Sequence, residues 1–350
     1  MTNNAPTILL DGSFGEGGGQ IVRTALALSA VFKIPCRVVN IRKNRPNPGL
    51  DYQHTVGIDA LARICNAKVT GNHFSSQELE FIPGEISAKD LTIKIDTAAS
   101  ITLVLQILTP ALIFTEKPVV IRFDGGGTDT HFSPTLDHFR FCFLKSLEKI
   151  AGRANIMEFN IEARGYYPAG GAKLAVRCQG SGIKKLNPLD LTQRGDLKTI
   201  RIISGASLLL KSRKVAERQI AGTNQILGKL KLPLEKEINY WPSPTPGSHI
   251  LILAEFENGL LGVDALGQMN KSAEMVGQDA ALDLIKQQQS RACVDKHLAD
   301  QILPYLALAG GKSNIRVPEI TSHCRTNMQV IEKFVGKKFA AADNVVSFPG

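Results

Sequence analysis

The strongest constraint on the fold is a pattern that the chain repeats three times. Each copy runs from a loop of small residues into an apolar helix, a strand, a polar or charged loop, an amphipathic helix and a second strand. The first copy predicts a helix over Gln20–Phe32, a strand over Cys36–Ile41, a loop over 42–52, a helix over Gln53–Cys65 and a strand over Lys68–Thr70. The second predicts a helix over Ser100–Phe114, a strand over Pro118–Phe123, a loop over 124–133, a helix over Pro134–Ala151 and a strand over Asn155–Ile161. The third predicts a helix over Asp295–Ala309, a strand over Ser313–Val317, a loop over 318–325, a helix over Thr326–Val335 and a strand over Asn344–Phe348.

The third copy is split, because its opening strands, around Leu174–Cys178, stand far upstream of its helix. The gap holds strand patterns at Thr199–Ser204 and His249–Glu255, helix patterns at Arg213–Leu230 and Ser272–Gln289, and a proline-rich loop from Trp241 to Gly247. The expected architecture is therefore α+β, built of α/β-type repeats. A large domain spans 1–186 plus 291–350, and a smaller α+β domain spans 187–290. A length of 350 residues suits two domains.

Lys and Arg number 41 against 32 Asp and Glu, a formal net charge of +9, and the isoelectric point lies near 9.2. That balance points to an anionic partner, nucleic acid or nucleotide. The cysteines (Cys36, Cys65, Cys142, Cys178, Cys293, Cys324) form no CxxC pair and mostly sit in apolar runs. They read as reduced core thiols of a cytoplasmic protein. The N-terminal MTNNAPTILLDG has no basic region followed by a long apolar stretch, so no signal peptide is expected. The longest apolar run, Ile101–Phe114, contains Gln106 and Pro110 and is too short to span a bilayer, so no membrane partner is expected.

Three polar segments carry the chemistry. The first is the glycine block Asp11–Gln20, which runs straight into the first apolar helix. Backbone N–H groups of glycines such as Gly17 and Gly18 can approach a ligand closely, and a helix starting near Gly19 aims its positive end at an anion. Glu16 lies among those glycines, where a phosphate-borne metal ion could use it, and Arg23 follows one turn into the helix. The block lacks the GK[ST] ending of a P-loop, and Gln20 breaks the dinucleotide GxGxxG pattern. A glycine-rich turn before a buried helix explains it equally well. The second segment, from Arg42 to His54, places Arg42, Lys43 and Arg45 within four residues on a loop stiffened by Pro46, Pro48 and Gly49. Gln53 and His54 then open a helix. This suits a phosphate clamp, though a solvated charged loop has the same composition.

The third segment is Thr321–Asn327. A histidine beside the expected N-cap Thr326 would meet the positive end of a helix, which disfavours its cationic form, and neutral imidazole is a competent nucleophile towards phosphorus. Cys324 is the competing nucleophile. Most loop histidines are surface or hydrogen-bonded residues, and from composition alone that reading leads for His323. The other histidines show no metal spacing, and HExxH, GxSxG, kinase and zinc-deaminase motifs are absent. Tyr166–Gly171 reads as a turn into a strand, although aromatic residues beside glycines can also stack on bases.

Taken together, LDGSFGEGGGQIVRTALALS, IRKNRPNPGLDYQH, ITLVLQILTPAL, GGTDTHFSPTLDHF, GYYPAGGAKL, HLADQILPYLALAG and TSHCRTNMQVIEKF resemble the RNA 3′-terminal phosphate cyclase family. They occur in the family's order and cover nearly all of the chain outside the insert. The resemblance implies three β/α repeats with an inserted smaller domain. It also implies an ATP-dependent enzyme that converts an RNA 3′-phosphate to a 2′,3′-cyclic phosphodiester through a covalent His–AMP and an RNA(3′)pp(5′)A intermediate. By resemblance, His323 is the nucleophile and Glu16 helps hold a divalent metal, Mg2+ or Mn2+, on the ATP phosphates. Arg23, Arg42, Arg45, Gln53 and His54 match the cluster that binds ATP and RNA phosphates. Gln106 and Pro134 match the adenine pocket, and Asp300 and Gln301 match a segment near the nucleophile, where Asp300 would orient His323. His297 stands where the family has an aromatic residue over adenine, Ala172 replaces a glycine, and Asp96–Ser100 replaces a more glycine-rich turn.

Three other readings compete. A non-catalytic branch of the family, working in ribosome assembly, lacks the nucleophilic histidine, whereas His323 and the Glu16, Arg42 and Arg45 set are present here. Enolpyruvyl transferases share a related repeat architecture but have no match to TSHCRTN. The same His–AMP could also adenylylate other nucleic-acid ends, such as a 5′-phosphate.

Overall fold

The computed structural model describes residues 6–180, 182–230 and 233–350. The opening residues of the N-terminal segment considered above for a signal peptide lie outside the described residues.

The chain alternates helices and strands, and the repeat is visible in its hydrogen bonding. Unit one comprises β1 (Ile8–Asp11), α1 (Gln20–Phe32), β2 (Cys36–Val39), α2 (Tyr52–Ile64), β3 (Lys68–Thr70) and β4 (Leu79–Ile82). Unit two comprises β5 (Leu91–Ser100), α3 (Ile101–Leu112), β6 (Val119–Gly127), α4 (Leu136–His138), a π-helical turn over Phe139–Phe143, α5 (Leu144–Ala151), β7 (Met157–Ala163) and β8 (Lys173–Cys178). Unit three opens with β9 (Asp190–Leu191). A separate run then intervenes: β10 (Leu197–Ser207), α6 (Val215–Leu227), β11 (Leu234–Trp241), β12 (Ser248–Phe256), β13 (Leu260–Leu266) and α7 (Ala273–Gln289). Unit three resumes with α8 (Leu298–Gln301), α9 (Leu303–Leu308), β14 (Ser313–Arg316), α10 (Ser322–Val335), β15 (Ala340–Ala342) and β16 (Val345–Phe348).

Each unit makes a four-stranded sheet of one plan, β1-β2-β4-β3, β5-β6-β8-β7 and β9-β14-β16-β15. In each, the first pair is parallel and the other two pairs are antiparallel. A parallel pair needs a crossover, and a helix supplies it. The intervening run makes its own sheet, β11-β10-β12-β13.

Local chemistry explains most element boundaries. The run from Ile21 to Ala30 has few polar residues and nearly all of it is buried, so α1 is a core helix. Each fully buried Ile or Leu there contributes about 1.5–3 kcal/mol. Asp51 and His54 form a reciprocal capping box that starts α2. Ser100 caps α3 and Thr321 caps α10. One core runs through all three units, and a second lies between the insert's sheet and α6 and α7.

A buried polar network joins the two. Asp137 accepts from Arg164 at 2.5 Å and meets His249 at 2.9 Å, Arg164 also donates to Asp129 at 3.1 Å, and the Tyr166 hydroxyl lies 3.1 Å from His249 Nδ1. Burial favours a protonated Asp137, but Arg164 and His249 outweigh it and hold the carboxyl far below the usual carboxylate range. Nearby, His138, Cys142 and Asp295 bring their donor atoms within 4.8 Å of one another. Asp295 already accepts from Gly262 N, His297 N and Leu298 N and meets His138 Nε2, so the group is a hydrogen-bonded knot tying β13 to the start of α8.

Several expectations are corrected. The strand around Leu174–Cys178 is β8, which closes unit two by pairing with β6 and β7; unit three opens with the two-residue β9. The helix expected over Asp295–Ala309 breaks into α8 and α9, with Pro304, which has no N–H to donate, in the first turn of α9. Asp96–Ser100 is the end of β5 rather than a turn. Thr326 is not an N-cap: Thr321 caps α10, which begins at Ser322, four residues before Thr326, so Thr326 lies inside it.

Candidate active site

The glycine block of unit one meets the first turn of α10 from unit three. Gly15 has φ +58°, and a Cβ on it would overlap the Thr326 hydroxyl. A glycine here satisfies both the left-handed backbone and the close approach. Inside the contact, Thr24 donates to Asn327 at 2.7 Å, locking α1 to α10.

This docking brings together residues far apart in the chain. His323 lies in the first turn of α10, with its Nδ1 2.6 Å from Gln20 Oε1. Gln20 Nε2 donates to Asp300 Oδ2 at 2.7 Å, and Asn327 holds the Asp300 backbone carbonyl at 2.7 Å. Asp300 reaches His323 through Gln20 rather than by a hydrogen bond of its own. Burial raises the Asp300 carboxyl, opposed by the nearby His323, His297 and Arg23 and by the Gln20 bond. Burial also lowers Arg23 to about 10, with Asp300 partly offsetting it.

The other face of His323 meets the glycine block. Its Nε2 lies 2.7 Å from Glu16 Oε2, which is also 3.5 Å from Arg45 Nη2, and the Ser322 hydroxyl donates to the same carboxylate. Any side chain at Gly18 would meet Arg45 and His323. Gly17, with φ +57°, sits beside it. Arg42 is held back by a 2.9 Å bond to the Gly49 carbonyl and lies 3.8 Å from Asp51, leaving Arg45 as the arginine that reaches the histidine side. His54 Nδ1 accepts from Asp51 N at 2.9 Å, and its Nε2 edge lies against Gly19, where a Cβ would overlap the ring. Burial, then Arg23 and Arg42, push His54 down to about 3, so it is neutral with its proton on Nε2. Gln53 stands in the first turn of α2, half-buried beside it.

The competing nucleophile is disfavoured. Cys324 is buried, and that burial pushes its thiol up to about 11. The remaining expected residues make no hydrogen bond to the side chains of Asp300, Gln20 and His323, although His297 is close enough to act on the Asp300 carboxyl. Gln106 lies midway along α3, Pro134 accepts from Thr102 at 2.8 Å, and His297 is exposed with its ring edge-on to His138 at 6.3 Å. No hydrogen bond among the described residues joins these three to His323. Gln301 has a buried Oε1 without a partner.

A model of the family described as RNA 3′-terminal phosphate cyclase matches residues 14–341. The chain belongs to the RNA 3′-terminal phosphate cyclase family. A protein of that name from Pyrococcus abyssi is 44% identical over 343 residues, covering 98% of this chain and 97% of the relative. The one from Thermococcus kodakarensis is 43% identical over 337 residues, covering 96% and 95%, and one from Saccharolobus islandicus is 40% identical over 333 residues, covering 95% of each. Among solved structures, the enolpyruvyl transferase NikO from Streptomyces tendae aligns with 10% identity and a TM-score of 0.27 over 99% of this chain and 82% of that one. A likeness of that degree carries no argument.

Within this member of the cyclase family, sequence reasoning missed Ser322, Thr24 and Asn327. The last two lie one helical turn beyond Gln20 and His323, and that i, i+4 spacing was the available signal. No helix among the described residues is long and apolar enough to cross a membrane.

Proposed function

We propose that this chain is an ATP-dependent RNA 3′-terminal phosphate cyclase that works through a covalent adenylate on His323. The observation that carries the reading is the row Asp300–Gln20–His323. An ionised carboxylate only accepts, so the Gln20 NH2 group faces Asp300 and its oxygen faces His323. That oxygen keeps a proton on Nδ1, so the Nε2 lone pair is free to attack once the Glu16 carboxylate, 2.7 Å away, has moved off that atom. In the first step Nε2 attacks the α-phosphorus of ATP, a P–N bond forms and pyrophosphate leaves. In the second an oxygen of the RNA 3′-phosphate displaces His323, giving RNA(3′)pp(5′)A. In the third the vicinal 2′-OH attacks the 3′-phosphorus, loses its proton, and AMP leaves behind the 2′,3′-cyclic phosphodiester. Covalent catalysis suits this problem because an unactivated phosphate monoester has no good leaving group.

Other residues support the ligands. Gln301 Oε1 is a buried acceptor without a partner and fits an amino donor such as that of adenine. Gln106, Pro134 and His297 would line the same nucleotide pocket. Arg23, Arg42, Arg45, Gln53 and His54, with the backbone of Gly17 and Gly18, form the phosphate side, where positioning and charge neutralisation dominate. Glu16 is the carboxylate suited to a divalent metal, Mg2+ or Mn2+, which would supply charge neutralisation at the phosphates. Attack by Nε2 requires Glu16 to leave its 2.7 Å contact with that atom. We assign 1–186 with 291–350 to the catalytic domain and 187–290 to an inserted domain, except that β9, which pairs with β14 and whose Leu191 joins the first core, belongs with the catalytic domain; a second core under α6 and α7 supports the division. A cytoplasmic location accords with the six free, buried cysteines.

The test is direct. An RNA carrying a labelled 3′-phosphate is incubated with ATP, Mg2+ and the protein, then treated with phosphatase. The label becomes phosphatase-resistant with the wild type and stays sensitive with His323→Ala. A wild type that leaves it sensitive, or a variant that protects it, overturns the reading.

A further inference from the structure

Between unit two and the insert lies a cleft of about 900 Å³, away from the His323 row in its lining residues. Its walls carry His131, Arg213, Arg218 and Lys271 against a single carboxylate, Asp129. That carboxylate is buried and held by Arg164 at 3.1 Å. Arg218 is paired with Glu274 at 2.7 Å and Lys271 with Asp279 at 2.5 Å. Arg213 is exposed, has no carboxylate partner among the described residues, and is flanked in sequence by the exposed Lys211 and Lys214.

A cluster of rings stands at the rim of the cleft, where His131 and Tyr167 are lining residues and Phe132 is the next residue along from His131. The His131 ring lies 6.3 Å from those of Phe132 and Tyr167. Tyr167 is 66% exposed and Phe132 is fully exposed. Phe132 also holds φ +62°, a left-handed conformation that a bulky side chain rarely adopts. A strained backbone that presents a bare aromatic ring to solvent has no packing explanation. Such strain concentrates where a ligand is met.

We propose that this cleft binds single-stranded RNA upstream of the reacting 3′ end, with bases stacked on Phe132 and Tyr167 and phosphates on Arg213. The proposal rests on the cyclase reading for the identity of the nucleic acid. Unpaired bases offer free faces to aromatic side chains, and a cationic groove tracks the backbone; the pairing of the two is what recognises a single strand. The bases of a duplex are already stacked on one another and cannot use these rings. The net charge of +9 draws the same ligand.

The test compares a fluorescent single-stranded dodecamer carrying a 3′-phosphate with the matching dinucleotide. Binding is followed by anisotropy, for the wild type, Arg213→Glu and the double variant Phe132→Ala/Tyr167→Ala. All three changes are at exposed side chains, and ATP-dependent labelling of each protein checks its fold. Each variant binds the dodecamer about tenfold or more weakly, from the worth of a stacked base, while the dinucleotide and the ATP labelling are unaffected. Blunt duplex RNA competes poorly with the dodecamer on the wild type. Undiminished dodecamer binding in either variant overturns the proposal, as does an equal loss for dodecamer and dinucleotide. Anisotropy needs no turnover, so a failure to cyclise with binding intact counts against the cyclase reading, whereas undiminished binding in the variants counts against this one.

Discussion

Gln20→Met separates a relay from a ligand. Methionine keeps the length of the side chain and removes both of its polar contacts, 2.7 Å to Asp300 and 2.6 Å to His323. A hydrogen bond to a charged partner is worth about 1.5–3 kcal/mol. Asp300 then lacks a donor at a site where burial already raises its carboxyl, so it can take up a proton. That limits the cost in unfolding free energy to about 1–3 kcal/mol. The larger effect is on rate. Without the Gln20 oxygen, the Nδ1 proton of His323 is no longer held, and the tautomer with its proton on Nε2, which cannot attack, competes. Losing about 1.5–3 kcal/mol from the transition state slows adenylate formation roughly 10- to 150-fold. Single-turnover quench with α-labelled ATP over a range of concentrations reads this as a lower maximal rate with the half-saturating ATP unchanged. A raised half-saturation with an undiminished maximal rate refutes the relay and makes Gln20 an ATP-binding residue of the glycine block instead.

Three further outcomes follow from the same geometry. His54 is pushed down to about 3 from 6.5, so the unfolded chain binds a proton that the folded one refuses. Stability is therefore complete above about pH 6.5 and falls as pH drops towards 3, by up to ~1.4 kcal/mol per pH unit. His54→Gln retains a capping-box side chain and flattens that dependence in urea titrations; an unaltered slope removes His54 as its source. Gly19→Ala forces a Cβ into the His54 ring and costs ~1–3 kcal/mol of unfolding free energy, whereas an unchanged midpoint contradicts the contact. Arg45→Ala lowers the slope of log affinity against log salt for RNA 3′-phosphate ends by about one unit; an unchanged slope takes Arg45 off the phosphate.

The legible parts of the fold were those with local causes. α1 and β3 fall on the residues expected because an apolar run is bounded by glycines at one end and by Lys33-Ile34-Pro35 at the other, and because a charged strand follows a clear helix stop. β9, two residues long, and β15, three alanines, offer no alternation to read. β8 was placed in the wrong copy because pairing order is a property of the sheet and not of the strand. Thr321 and Thr326 are chemically equivalent caps; the Thr321 hydroxyl accepts from Cys324 N and starts the helix, while Thr326 packs against Gly15. The Gln20 bridge spans 303 residues to His323 and 280 to Asp300, so no spacing could reveal it. His323 stands out in the sequence only through its motif, and the structure places it on Gln20.

The most direct test of the central claim is to find where AMP resides on the protein. Incubation with α-labelled ATP and Mg2+, followed by peptide mapping, places the label on the peptide containing His323. The adduct is acid-labile and alkali-stable, as a phosphoramidate is, and His323→Ala does not form it. Label on another residue, label retained by His323→Ala, or a wild type that acquires none contradicts the account.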